Sequence, residues 1–496
     1  MTIDLSLDKN NDYAVYVPAI SSSYCHWASQ WEKKLYQTDA EGKLKYPNRN
    51  PKKISKDAKE LYFLNPENGC FHYNAALYSA GHAQINDLNE SKYIESVIHS
   101  RDRKKTTIVA DSGGFQIATG ASGSSVANFD WANPLSKDND KIRLSILRWM
   151  ESVADYSMML DIPTHSIGNP KTSIKSFRDC LDMTKYNADF FVKNRIPGAT
   201  KILNTLQGRY EEEAEIWWNE VKDYPFEGWA VGGVSVRNLD LLIRRLIIMR
   251  DGNYIGADRE WMHVLGTSRL STACVLTEIQ RAIRKTVYPK FTISFDSATP
   301  FVVAAKGFAY TQNAFAGGGN GRKKRFSYLT EKMIECVDAV GSDRPFPFTS
   351  APGRFMTVGD ICTRDPAISK TKTTWDSFSY VLLMWHNLYR QIDAVQEALR
   401  IYDMPTEPIR PFIPPDVLEF KEICSEIFTS ENAIDTINKN KTLLQSVSGV
   451  KVKQQDAVFS ELFGYSEEDG GMMIDEGDYE DPSEGRETDL VDIENL

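Results

Sequence analysis

Between Thr106 and Asp296 the chain alternates short apolar runs with longer amphipathic ones. The short runs are Thr106–Asp111, Tyr156–Asp161, Lys201–Gln207, Gly228–Gly233, Trp261–Gly266 and Phe291–Asp296. Each has strand length and lacks a helical repeat. Between them lie IRLSILRWMESVADY, SIKSFRDCLDMTKYNADFFVKNR, YEEEAEIWWNEVKDY, LDLLIRRLIIMR and LSTACVLTEIQRAI, whose apolar residues recur at helical spacing. Strand–helix repetition predicts a parallel sheet. Six such strands, with further candidates at Ala14–Ile20 and after Asp296, predict an α/β chain folded as a (β/α)8 TIM barrel. A doubly wound sheet is the alternative.

The flanks complete the expected organisation. Residues 1–104 read as a polar, aromatic lead-in with insertions and the start of the barrel, and 105–369 as the barrel itself. Residues 370–465 read as a helical region, clearest in WDSFSYVLLMWHNLYRQIDAVQEALRIYD. The net charge of −10 is concentrated at the end, where Glu467 to Leu496 holds thirteen acids and one Arg, so the body is near neutral. That composition predicts a disordered, solubilising tail over 466–496. A sharper reading is that the tail mimics nucleic acid and competes for a basic groove.

No stretch approaches the roughly 18 to 20 apolar residues of a membrane span, and the start has no basic-then-apolar leader pattern. The expected location is the cytoplasm, with no membrane partner. Seven cysteines are scattered without a CxxC pair, which favours reduced structural thiols and offers no local metal cluster.

In a parallel barrel the carboxyl ends of the strands converge on one face, so residues distant in sequence can line one site. Three of the six runs end on Asp111, Asp161 and Asp296. IVADSGGFQ adds Ser112, two glycines that let backbone amides approach a ligand, and the flat ring of Phe115. NTLQG adds Gln207, and WAVGGVSV adds Gly232 and Gly233. A carboxylate, an amide and an open backbone are what reading the hydrogen-bonding edge of a purine requires. A lone strand-end Asp could be a helix cap and a lone SGG only a turn. Three such carboxylates with a Gln and two Gly-Gly pairs strain that account.

ADSGGFQ, MMLDIPT, LQGRY, AVGGVSV, HVLGT and SFDSATP resemble, in order and approximate spacing, the motifs of the tRNA-guanine transglycosylase family. WHNLYRQIDAVQEAL is similar to its His-Asn-Leu helix. The resemblance implies a (β/α)8 enzyme that exchanges guanine in a polynucleotide for a 7-deazaguanine base, without strand cleavage, ATP or other cofactor. Carried over by position, Asp296 is the nucleophile on C1′ and Asp111 the general acid/base, the logic of a retaining glycosidase. Asp161, Gln207 and the Gly233 amide, with Gly232 and Ser112 beside them, read the base. The Val234 carbonyl meets the base's substituent. Phe115 and His263 form the walls of a base sandwich.

The departures narrow the substrate. The family's tRNA enzymes carry a CxCxxC cluster and a distant His that hold zinc. The interval before His386 here offers only Cys336 and Cys362, so no metal is expected. The family's Arg-rich stretch after the nucleophile is also absent. Arg322, Lys323, Lys324 and Arg325, in GGGNGRKKRFSY, are the candidate phosphate contacts. These differences favour similarity to the DNA-acting, DpdA-type branch, which places 7-deazaguanines of the preQ0 kind in DNA. DNA is then the expected partner, with tRNA the alternative and a homodimer allowed by the resemblance. A barrel that kept the fold as a non-catalytic binding subunit is the other class of reading. Retention of both Asp111 and Asp296 argues against it. A lyase or aldolase would want a strand-end Lys or a metal, and neither is seen.

Overall fold

The structure is a computed structural model. It describes residues 2–6, 12–38, 40–44, 53–83, 85–86, 89–91, 95–119, 128–232, 238–305, 307–314, 326–332, 342–361, 377–406, 410 and 412–448. Eight parallel strands form its centre: β1 (Val15–Pro18), β2 (Ala75–Ser79), β3 (Thr107–Asp111), β4 (Tyr156–Met158), β5 (Lys201–Leu206), β6 (Gly228–Val231), β7 (Trp261–Val264) and β8 (Thr292–Ser297). They pair in chain order from β2 to β8, and β8 pairs with β1. A parallel bridge from Ala19 to Leu77, with the Ile20 N–H donating to the Leu77 carbonyl at 3.0 Å, joins β1 to β2. The result is a (β/α)8 barrel.

Helices α1 (Ser22–Ser29), α2 (Lys137–Val153), α3 (Phe177–Asn194), α4 (Glu211–Val221), α5 (Leu239–Asp251) and α6 (Leu270–Thr286) flank the strands. Their starts carry local signals. Ser136 caps α2, Ser176 and Asp179 form a capping box on α3, and Asn238 caps α5. In α6 the buried residues Leu270, Ala273, Cys274, Leu276, Thr277, Gln280 and Ile283 recur at helical spacing, which seats one face on the barrel.

One strand lies elsewhere than expected. The eighth barrel strand is β2, inside the N-terminal hundred residues, and not a segment after Asp296. Beyond β8 the chain leaves the barrel through the short helix α7 (Thr299–Ala305) and an antiparallel hairpin of β9 (Phe308–Ala314) and β10 (Ser327–Lys332). The helical C-terminal region follows: α8 (Ser377–Tyr402), α9 (Pro415–Thr429), α10 (Ala433–Lys439) and α11 (Lys441–Ser448). Of these, α8 and α9 pack on α6, α8 also on α7, α1 and the hairpin, and α10 and α11 pack on α5.

Among the described residues no helix is long and apolar enough to cross a membrane. Cys25, Cys70, Cys180, Cys274 and Cys424 are all buried free thiols. Cys336, Cys362, the run Arg322–Arg325 and the acidic tail lie outside the described residues.

Candidate active site

Asp111, Asp161, Gln207, Gly232 and Asp296 all stand at or just past the carboxyl ends of barrel strands, on one mouth. Each carboxylate is held by a donor from an adjacent strand or the turn that follows it. Ser79, paired in register with Asp111 across β2 and β3, donates from Oγ to Asp111 Oδ2 at 2.7 Å. Gln207, after β5, donates from Nε2 to Asp161 Oδ2 at 2.8 Å. His263 on β7 donates from Nε2 to Asp296 Oδ1 at 3.1 Å, and the Gly266 N–H reaches the same oxygen at 2.8 Å.

The SGG turn has a specific shape rather than a generic one. Gly113 lies in the left-handed region at φ 78°, where a side chain is strained. A Cβ on Gly114 would stand 2.6 Å from the Asp161 carbonyl oxygen. The two glycines therefore bring the loop after β3 directly against the end of β4. On that loop Ser112 is buried with its Oγ unpartnered among the described residues. Phe115 is half-buried, its ring 5.2 Å from the exposed imidazole of His165. A buried hydroxyl without a partner at that turn is one a polar ligand would complete.

Burial pushes the carboxyls of Asp111 and Asp161 upward. For Asp111 the charge of Asp296 adds to the rise, while the Ser79 hydroxyl, the Gly113 N–H and the charge of His82 oppose it. Asp161 is raised to about 7, again chiefly by burial, with the charge of Asp111 adding and the Gln207 amide opposing. Asp111 thus feels the charge of Asp296, and Asp161 that of Asp111, the condition under which neighbouring carboxyls divide acid and base roles.

No protein-family model matches the chain, and no curated protein matches it.

His263 occupies a setting unlike the wall of a base sandwich. It is 0 % exposed, with Nδ1 bonded to Ser294 Oγ at 2.9 Å and Nε2 to Asp296. Half-buried Leu265 lies beside Gly232, its Cδ1 3.3 Å from where a Cβ of Gly232 would be. The same Cβ would meet Gln207 Nε2 at 2.7 Å, so a side chain at 232 would disturb the amide that holds Asp161. Gly233 and Val234 lie outside the described residues, as do Arg322, Lys323, Lys324 and Arg325.

Sequence reasoning missed Ser79, Trp261, Leu265, Gly266 and Ser294. Ser294 and Trp261 were visible in principle. Each stands two residues before a residue already singled out, Asp296 and His263, and so on the same face of its strand. Ser79 could not be placed without its strand. Among the described residues no group of three or more His, Cys, Asp or Glu is gathered as a metal site. His386 has both ring nitrogens engaged, with the Tyr310 carbonyl and with Ser350 Oγ, each at 2.8 Å.

Proposed function

We propose that this chain is a pentosyltransferase of the tRNA-guanine transglycosylase kind that exchanges guanine in DNA for a 7-deazaguanine base. One observation carries the reading: Asp111 and Asp296 share a barrel mouth with opposite dispositions. Asp296 is anchored through one oxygen by two N–H donors, as suits a nucleophile. Asp111 is pushed by burial and by the charge of Asp296 toward its protonated form, as suits an acid.

In the first step Asp296 attacks C1′ of the target nucleotide. The C1′–N9 bond breaks, its electron pair goes to N9 of guanine, and Asp111 delivers the proton. In the second step N9 of the incoming base attacks C1′, its proton passes to Asp111, and the bond to Asp296 breaks. The sugar configuration is retained and no strand is cut. Asp161 accepts from the N1–H and amino group of the purine, oriented by Gln207, and the bare backbone at Gly232 lets the base lie close.

The preference for DNA is supported by the missing CxCxxC cluster and by His386, whose nitrogens are occupied by hydrogen bonds. A duplex substrate must extrude its guanine first, at a cost of a few kcal/mol. The test is isotope exchange. Purified protein is incubated with labelled guanine and, separately, duplex DNA, single-stranded DNA and an anticodon stem-loop. Label in DNA supports the proposal. Label only in the stem-loop makes the chain a tRNA enzyme, and label in neither makes it a non-catalytic subunit.

A further inference from the structure

Trp261, Ser294, His263 and Asp296 are linked inside the barrel by three hydrogen bonds, from the start of β7 to the mouth. The Trp261 indole N–H donates to Ser294 Oγ at 2.8 Å, Ser294 Oγ lies 2.9 Å from His263 Nδ1, and His263 Nε2 lies 3.1 Å from Asp296 Oδ1. All four side chains are buried. Alternation along the strands explains the path, since 261 and 263 share the inward face of β7 and 294 and 296 that of β8.

The chain has a direction. An indole N–H can only donate, so Ser294 Oγ accepts there and keeps its one hydrogen for another partner. Nδ1 of His263 is that partner. A ring accepting at Nδ1 carries its proton at Nε2, which points at Asp296. Oδ1 of Asp296 then receives two donors, His263 Nε2–H and the Gly266 N–H. None of the hydrogen bonds among the described residues ends on Oδ2.

We infer that His263 is a positioning residue, locked by Ser294 and Trp261 in its Nε2–H form, which fixes Oδ1 of Asp296 and presents Oδ2 to the sugar carbon. The inference rests on the reading of Asp296 as nucleophile. Its premise is a fixed geometry: a carboxylate free to rotate would offer either oxygen at varying angles, and a reacting atom held in one place shortens the search for the productive approach. In the glycosyl ester, Oδ1 becomes the carbonyl oxygen and stays bonded to the same two donors.

The test uses the full chain and base exchange measured under saturating and limiting base. His263→Leu removes the donor, and kcat is expected to fall about tenfold to a hundredfold, the worth of one hydrogen bond to a charged group, with KM for the base unchanged. His263→Gln, which can place an amide N–H near the Nε2 position, should recover most of that loss. A merely structural role would not give this split or this rescue, and circular dichroism checks that each variant is folded. Independently of catalysis, two-bond 1H–15N spectra of histidine-labelled protein should show the His263 ring protonated at Nε2 and bare at Nδ1. Ser294→Ala should shift it toward the Nδ1–H form.

A wild-type ring protonated at Nδ1 overturns the inference. So does a His263→Leu protein with unchanged kcat and raised KM, which would make the ring a wall of the base site. Wild-type protein inactive on both DNA and the stem-loop refutes the functional reading and the role with it, whereas activity without a His263 effect refutes the role alone.

Discussion

Binding of the base should titrate with Asp161. The carboxyl is raised to about 7 by burial, with the charge of Asp111 adding and the Gln207 amide opposing. The purine edge it faces under the proposed function offers only N–H donors, so the bound state needs the anion. Below pH 7 the ligand must displace a proton, and the apparent Kd should rise about tenfold per pH unit, or about 1.4 kcal/mol. Above about pH 8 it should be flat. Asp161→Asn removes the titration and replaces a charged acceptor by a neutral amide, so the curve should flatten and weaken at pH 8 by about tenfold to a hundredfold.

Stability moves the opposite way. A carboxyl whose folded pKa is raised contributes stability that is full below the unfolded value, near 3.8, and lost as pH rises through about 7. Asp161→Asn should therefore melt higher than wild type at pH 8, with about 4 kcal/mol as the ceiling of the gain. The assays are isothermal titration of guanine or a 7-deazaguanine from pH 5.5 to 8.5, in two buffers of different ionisation enthalpy so that proton release is counted, and a melting curve at each pH. Asp111→Asn serves as control, because Asp111 is also raised. Wild-type affinity unchanged between pH 5.5 and 8, or a slope that survives Asp161→Asn, would refute the reasoning.

Asp296→Ala should abolish both base exchange and the covalent adduct trapped on denaturing gels; an active Asp296→Ala protein would sink the assignment of the nucleophile. His386 is held neutral by burial, its pKa lowered to about 3, so the unfolded chain takes up a proton the folded chain refuses. Stability should fall by up to about 1.4 kcal/mol per pH unit below 6.5, and His386→Gln should flatten that part of the denaturation profile. Replacing Arg322, Lys323, Lys324 and Arg325 with Ala should weaken duplex binding and flatten its salt slope, read by anisotropy at several salt concentrations, while exchange on a short single strand changes less. Elemental analysis of purified protein should return no stoichiometric zinc; one tightly held zinc per chain would overturn the reading of the region around Cys362.

The barrel was legible because six of its strands sit in a regular repeat, where a short apolar run between two amphipathic helices has few other readings. The observed strands begin within a residue of the expected starts, and four of them stop two or three residues early or one short, where the chain turns into the mouth. β2 was not legible. All five residues of AALYS are buried, so no polar alternation marks the strand, and the stretch before it is irregular. Missing it moved the expected eighth strand past Asp296, where the apolar FVVAAKGFAY instead forms a helix and the start of a hairpin.

At the site, the ordered carboxylates were legible, and what holds them was not. A pattern of ends says which residues can converge, but orientation comes from neighbours in the sheet. Ser79, Gln207 and His263 each act on a carboxylate from another strand, so their roles depend on pairing and register.

The same dependence explains how one mouth tolerates three carboxyl groups. Like charges in a partly buried site cannot all ionise cheaply. Here the sheet gives each group a different set of donors: two N–H groups on one oxygen for Asp296, the Ser79 hydroxyl and the Gly113 N–H for Asp111, the Gln207 amide and its own backbone N–H for Asp161. Burial raises Asp161 to about 7, and it is the one that faces the base under the proposed function. Nearby, Ser112 Oγ is buried without a partner among the described residues. A purine edge supplies N–H donors to Asp161, and its carbonyl and ring nitrogens can accept from a hydroxyl such as that of Ser112. Binding the base would thus give the Ser112 hydroxyl a partner that the described residues do not supply.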